Sequence, residues 1–326
     1  MSDDSDPLKP KFYFNLYSLC CLLQEGPLLK GKGKAGNATR IAVLTWRSLL
    51  IMSREWKYYW LRLILYILLT LCIGTVFSGL GHSLSSVVTR VAAVFVFVSF
   101  TSLLSIAGVG ALMKEIKIYA SEESNKHSGA LVFLFGQLLS SIPFLFLISI
   151  STSLIFYFLI GLRDEFSLLI YFVLNFFTCL LVNEGLMLVV ASLWKDVYWS
   201  ILTLVCIQVV MMLAAGYFRI RSQLPGPIWI YPLSYIAFHT IQGLLENEYL
   251  GTSFAVGQVR TISGFQALDD AYAISPDSNS KWENLLVLFL MAVGYRVLLF
   301  ILLHFHVRKN ISLHRHCQCY PDQTTT

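Results

Sequence analysis

From Arg40 onward the chain is written as long, mostly apolar runs separated by short charged strips. The runs are Leu61–Leu80, Val91–Met113, Leu131–Leu162, Phe166–Trp194, Val197–Phe218 and Leu285–Val307. A helix needs about 20 apolar residues to cross about 30 Å of hydrocarbon, and every run reaches that length. The third exceeds it, so it is expected to tilt or break, with Pro143 as the place for a kink. Arg163, Asp164 and Glu165 then mark a tight turn into the fourth. Ahead of the first run, Arg40, Arg47 and Arg54 recur a heptad apart, with Ala42, Leu49, Met52 and Trp56 roughly opposite. That pattern predicts an amphipathic helix along the inner membrane surface, and a helix packed on another domain would give the same pattern.

The most charged strip between two runs is Lys114 to His127, KEIKIYASEESNKH. Glu115, Ile118, Tyr119 and Glu122 recur at helical spacing, which puts both carboxylates on one face, and Glu122 precedes Lys126 in the favourable order. A short helix on the water side of the membrane is predicted there.

Composition agrees with the pattern: of 326 residues, 56% are hydrophobic and 13% charged, and the mean hydropathy is +0.66. This is the profile of an all-α polytopic membrane protein, not of a soluble domain or a nucleic-acid binder. Six spans put both termini on one side. That side gathers Arg47, Arg54, Lys57, Lys114, Lys117, Lys126, Lys195, Arg308, Lys309 and Arg315, against Arg90, Arg163, Arg219, Arg221 and Lys281 on the other. Basic residues in short loops stay inside, so the termini are expected in the cytoplasm. The large external segment is then Arg219–Asn284, which opens with Pro225, Pro227, Pro232, Trp229, Tyr231 and Tyr235, a composition suited to dipping back into the headgroup layer.

Candidate chemistry is sparse. The seven cysteines (Cys20, Cys21, Cys72, Cys179, Cys206, Cys317, Cys319) suggest no disulfide framework. The apolar run Phe12–Leu23 is too short to span, and reads as interfacial or disordered, with Cys20 and Cys21 as candidates for acylation. Gly26–Lys32 approaches a phosphate-binding loop, but Gly33 stands where a magnesium-binding Ser or Thr is needed, so a basic glycine-rich linker is the expectation. Glu184 and Arg296 are ionisable residues inside runs, where charge is costly and marks either a structural pair or a proton relay. His304 and His306 point to different helix faces, and His314–Cys319 lacks a zinc spacing, so no metal site is expected.

Several stretches together carry a family resemblance: RSLLIMSREWKYYWLRLILYILLTLCIGTVF, KEIKIYASEESNKHSGALVFLFGQLLSSIP, YFLIGL and AAGYFRIRSQLPGPIWIYPLSYIAFHTIQGLLENEYLG. They resemble the transmembrane half of G-subfamily (white-brown complex) ABC transporters, especially plant half-transporters of cuticular lipids, over Arg40 to about Lys309. The family carries an ATPase domain ahead of its spans, and the residues before Arg40 here contain no Walker or LSGGQ-like sequence. The resemblance implies that Arg40–Lys57 is a connecting helix and that Glu115, Glu122 and Lys126 belong to a segment resting on a nucleotide-binding domain. The family's usual Glu-x-x-x-Gly-Tyr-Tyr is replaced here by Glu122, Lys126, His127 and Ser128. It implies a substrate cavity between the second and fifth spans of two protomers, lined by Phe100, Leu103, Val209 and Met212, and a gate at Gly216, Tyr217 and Phe218. ATP and magnesium would bind to a partner or a separate domain, with no cofactor on this chain.

Three readings follow. The chain is the permease subunit of an ATP-driven exporter of lipophilic molecules at the plasma membrane, a homo- or heterodimer with ATPase-bearing half-transporters; or a non-transporting subunit that regulates them; or a multipass membrane enzyme. No paired carboxylates or Ser-His arrangement at a shared depth supports the last. The expected organisation is a cytoplasmic linker (1–39), a transmembrane domain of ABC-2 type (40–310) and a cytoplasmic tail (311–326).

Overall fold

The computed structural model describes residues 37–54, 60–79, 84–124, 129–163, 165–194, 196–218, 230–249, 253–256, 260–264, 266 and 280–318. The stretch Gly26–Gly33, the paired Cys20 and Cys21, Lys126, Pro225, Pro227 and Cys319 lie outside them.

The body is helical. The amphipathic arginine repeat forms α1 (Asn37–Arg54), and the first run forms α2 (Leu61–Val76). The second run forms α3 (Leu84–Ser105), which passes through a 3-10 turn, Ile106–Gly108, into α4 (Val109–Ser124). The charged strip is therefore not a separate short helix: it is the end of the second span's own helical run. Charge marks exposure to water, but Lys, Glu and Ile continue a helix as well as any residue. Next come α5 (Ala130–Ile160), α6 (Phe166–Leu193), α7 (Val197–Leu213), α8 (Ile230–Tyr249) and α9 (Ser280–Gln318). An antiparallel hairpin, β1 (Ser253–Val256) on β2 (Arg260–Ser263), sits between α8 and α9 and is a departure from an all-helical chain.

Among the described residues, four helical runs are long and apolar enough to cross a membrane: Ser86–Glu122, Ala130–Ile160, Phe166–Leu193 and Lys281–Phe305. Helices α2 and α7 are apolar but only 16 and 17 residues long, or about 25 Å at 1.5 Å per residue. The third run does not break at Pro143, which lies inside an uninterrupted α5. One turn earlier the Ser140 and Ser141 hydroxyls donate to the Gln137 and Leu138 carbonyls, the kind of local adjustment by which membrane helices tolerate proline. At its end Gly161 takes the left-handed conformation that closes a helix, φ 69°.

Helix α6 is the axis of the bundle, buried on nearly every side from Asn175 to Ala191. Phe97 of α3 stacks on Phe156 of α5 at 4.1 Å and meets Phe176 of α6 at 4.8 Å, which fixes these helices to one aromatic centre. Close approaches rest on glycine: a Cβ at Gly74 would lie 2.4 Å from Leu159, and one at Gly243 would lie 2.4 Å from the Asn175 amide. Helix α8, placed by sequence in a proline- and aromatic-rich external segment, packs on α3, α6, α7 and α9. In α1 the exposed apolar stripe is Val43, Trp46 and Leu50. It lies beside Arg47, whereas Ala42 and Leu49 were the residues expected opposite the arginines.

Candidate functional site

The strip is held by α1. Arg47 Nη1 donates to Glu122 Oε1 at 2.8 Å, with the arginine half exposed. The pair expected within the strip, Glu122 with Lys126, lies outside what is described, because Lys126 is not among the described residues. Glu115 and Glu122 face the same cavity of about 120 Å³, which also receives Arg47, Tyr119 and Gln137. Tyr119 stacks on Phe133 of α5 at 4.5 Å and is buried.

Gln137 leads from this cavity into the bundle. Its amide donates to Glu184 Oε1 at 3.1 Å, and its carbonyl oxygen accepts from Arg296 Nη1. Glu184 and Arg296 are themselves 3.5 Å apart, and Glu115 lies close enough to act on the same guanidinium. The two intramembrane charges are therefore partners across α6 and α9, bridged by α5. The sequence marked both charges but gave no signal for Gln137, a neutral residue in an apolar run. A second cavity, of about 340 Å³, opens beside Arg296 between Phe135 of α5 and Phe289 and Phe300 of α9.

The residues assigned to a cavity fall on the faces of α3 and α7. Phe100, Leu103 and Val209 are exposed, and Met212 is half-buried against the core. Just past the C-terminal end of α7, Gly216 adopts φ 95°. Tyr217 then stacks on Phe95 at 4.4 Å, and Phe218 meets the same ring edge-on at 5.3 Å. Glycine's freedom at positive φ is what lets the chain turn both aromatics back onto α3.

A polar cluster at the end of α8 escaped the sequence reading. In α8, Glu246, Asn247, Glu248 and Tyr249 are all buried. Glu248 accepts from Arg90 Nη1 of α3 at 2.9 Å and from the Arg163 amide at 3.4 Å. Tyr249 donates to the Val87 carbonyl at 3.1 Å, and Asn247 to that of Leu168 at 2.9 Å. Glu246 accepts from Asn284 of α9 at 3.0 Å, whose carbonyl oxygen meets His239 Nδ1 at 2.6 Å. One short segment thereby ties α3, α6 and α9 to the end of α8. Burial pushes the Glu248 carboxyl up to about 7, against the pull of Arg90 and Arg163. Three consecutive carboxyl or amide side chains, Glu-Asn-Glu, were the available signal, but they fell within the segment expected to be external.

Among the described residues no group of His, Cys, Asp and Glu is arranged to hold a metal, and Cys72, Cys179 and Cys206 are free thiols. His304 stacks on Phe300 at 5.9 Å.

Residues 39–249 match the family described as ABC-2 type transporter. The chain is 72% identical over 291 residues to ABC transporter G family member 3 of Arabidopsis thaliana, covering 89% of this chain and 40% of that protein. It is 35% identical over 277 residues to ABC transporter G family member 1 of Petunia hybrida, covering 84% of this chain and 43% of the relative. With ABC transporter G family member 11 of Arabidopsis thaliana it shares 36% identity over 284 residues, 86% of this chain and 40% of the relative. The chain spans about two fifths of the length of these relatives. An apolar bundle with an amphipathic lead-in and a clasped charged strip, matched over most of its length, identifies the chain as a member of the ABC-2 type transporter family, in the plant G-family group.

Proposed function

We propose that the chain is the membrane permease of an ATP-driven exporter of lipophilic molecules, cuticular lipids among them, working as a homo- or heterodimer with ATPase domains carried elsewhere. The family match supports a transporter role. The observation that carries the energy-coupling reading is the clasped strip: Glu122 is bound to α1 by Arg47, while Glu115 faces the same cavity as Gln137 and acts on the buried Arg296. Force applied to the strip from the water side would thus have a polar route into the bundle. In this reading Glu115, Glu122 and Lys126 contact the ATPase domain, which binds ATP and magnesium. Phe100, Leu103, Val209 and Met212 line the substrate path between protomers, and Gly216, Tyr217 and Phe218 gate its outer end. In the same reading α2 and α7 complete the four longer runs to six spans, with both termini in the cytoplasm at the plasma membrane.

The test is reconstitution of the chain alone and then with an ATPase-bearing half-transporter, measuring ATP turnover and lipid export in each. Export that needs both co-assembly and ATP is expected. Export driven by a proton gradient without ATP refutes the reading, and assembly that lowers the partner's own export favours a regulatory subunit instead.

A further inference from the structure

The helical run from Leu84 to Ser124 is tightened at one place, the 3-10 turn Ile106–Gly108. Its cause is competition for one carbonyl. In an α-helix the Thr101 carbonyl receives the Ser105 amide. Here it also accepts the Tyr66 hydroxyl at 3.0 Å and the Ser105 hydroxyl at 3.3 Å. The hydroxyls of Tyr66 and Ser105 are 2.6 Å apart, and Thr101 in turn bonds back to Phe97 at 2.6 Å. Back-bonding hydroxyls bend helices, and a 3-10 stretch within a helix is where the rod gives.

Arg62, one turn before Tyr66 on α2, lies against this turn. It is 8% exposed, its guanidinium carbon stands 5.7 Å over the Tyr66 ring, and a Cβ at Gly108 would lie 2.9 Å from Nη1. Its Nε and Nη2 are buried without hydrogen-bond partners. A buried guanidinium with unfilled donors is costly, and a change in the turn that offers it backbone carbonyls would relieve the cost.

We propose that Ile106–Gly108 is a hinge between the second span and the strip, and that Arg62 is the positioning residue that sets it. The strip would then swing about this turn while α3 stays fixed to the aromatic centre. The hinge stands on the geometry alone; its part in transmitting force rests on the transport reading.

The chain in lipid nanodiscs, followed by amide hydrogen exchange, tests the hinge. Arg62→Ala and Gly108→Ala should each raise exchange across residues 106–112 on the order of tenfold, and the double variant should exceed neither. Gly110→Ala is the control: it makes the same backbone change, but its Cβ meets nothing within 4 Å. Gly108→Ala behaving like Gly110→Ala overturns the proposal, as does Arg62→Ala exchanging like the parent. If Arg62→Ala does not fold, the two glycine variants decide. In the assembled transporter, spin labels at exposed Val88 and Ile118 should change separation on ATP binding in the parent and in Gly110→Ala but not in Gly108→Ala. A parent that turns over ATP with no change in separation refutes the hinge in transmission. A parent with no turnover refutes the transport reading and leaves the exchange result standing.

Discussion

Glu184 shows how much depends on single partners in this bundle. It and Arg296 are balanced by each other and by Gln137. Glu184→Leu alone strands a buried guanidinium and should cost about 3–5 kcal/mol, whereas Glu184→Leu with Arg296→Leu should recover most of that; thermal unfolding in nanodiscs reads both. At the end of α8, Glu248 predicts a pH dependence whose sign follows from burial. Its packed carboxyl titrates at about 7, above a free carboxyl, so the packed state binds the proton more tightly. Stability therefore falls as pH rises from the free-carboxyl range to about 7 and is level beyond it. The difference in melting temperature between the parent and Glu248→Gln should follow that course from pH 5 to 8, and a constant difference would remove the assignment. For the substrate path, Leu103→Arg or Met212→Arg should abolish lipid export while assembly persists, because an unpaired charge repels an apolar substrate from the wall. Normal export by such variants would place the path elsewhere.

At the scale of elements, the clasp between α1 and α4 is predicted to matter for coupling and little for stability. Arg47 is half exposed, and exposed pairs contribute at most about 1 kcal/mol. Arg47→Glu and Glu122→Arg should each lower export per ATP consumed, and the charge-swapped double variant should restore it; melting temperatures that move as much as export would mean a structural role instead. Long helices were readable because each apolar run must cover its length in lipid, so the bounds of α5 and α6 follow from hydropathy, whereas α9 extends past its apolar run at both ends. Other elements were hidden for stated reasons. Pro143 marks a missing donor but not whether nearby serines compensate for it. The strip's charges mark its surroundings, not its continuity with α3. Helix α8 was obscured by Glu246, Asn247 and Glu248, polar residues that are buried only because α3, α6 and α9 bring partners to them. The 3-10 turn depends on Tyr66, a residue of another helix, and no pattern within Ile106–Gly108 announces it.

Across the molecule, polar side chains are spent in three places: the clasp between α1 and the strip, the Glu184 cluster within the bundle, and the Glu246–Tyr249 segment at the end of α8. The clasp is half exposed and the other two are buried, so motion should be easiest at the strip. The Glu184 cluster also constrains how the protein is made. Gln137 is 47 residues before Glu184, but Arg296 comes 159 residues after Gln137. The ribosome therefore delivers α6 to the membrane long before its counter-ion exists, and Gln137 is the sole member of the cluster present to shelter the carboxylate. A nascent chain stopped before α9 should linger at the insertion machinery or be degraded, and Glu184→Gln should release it. Crosslinking of arrested chains to the translocon would record the wait, which makes the last helix a checkpoint for the maturation of the whole chain.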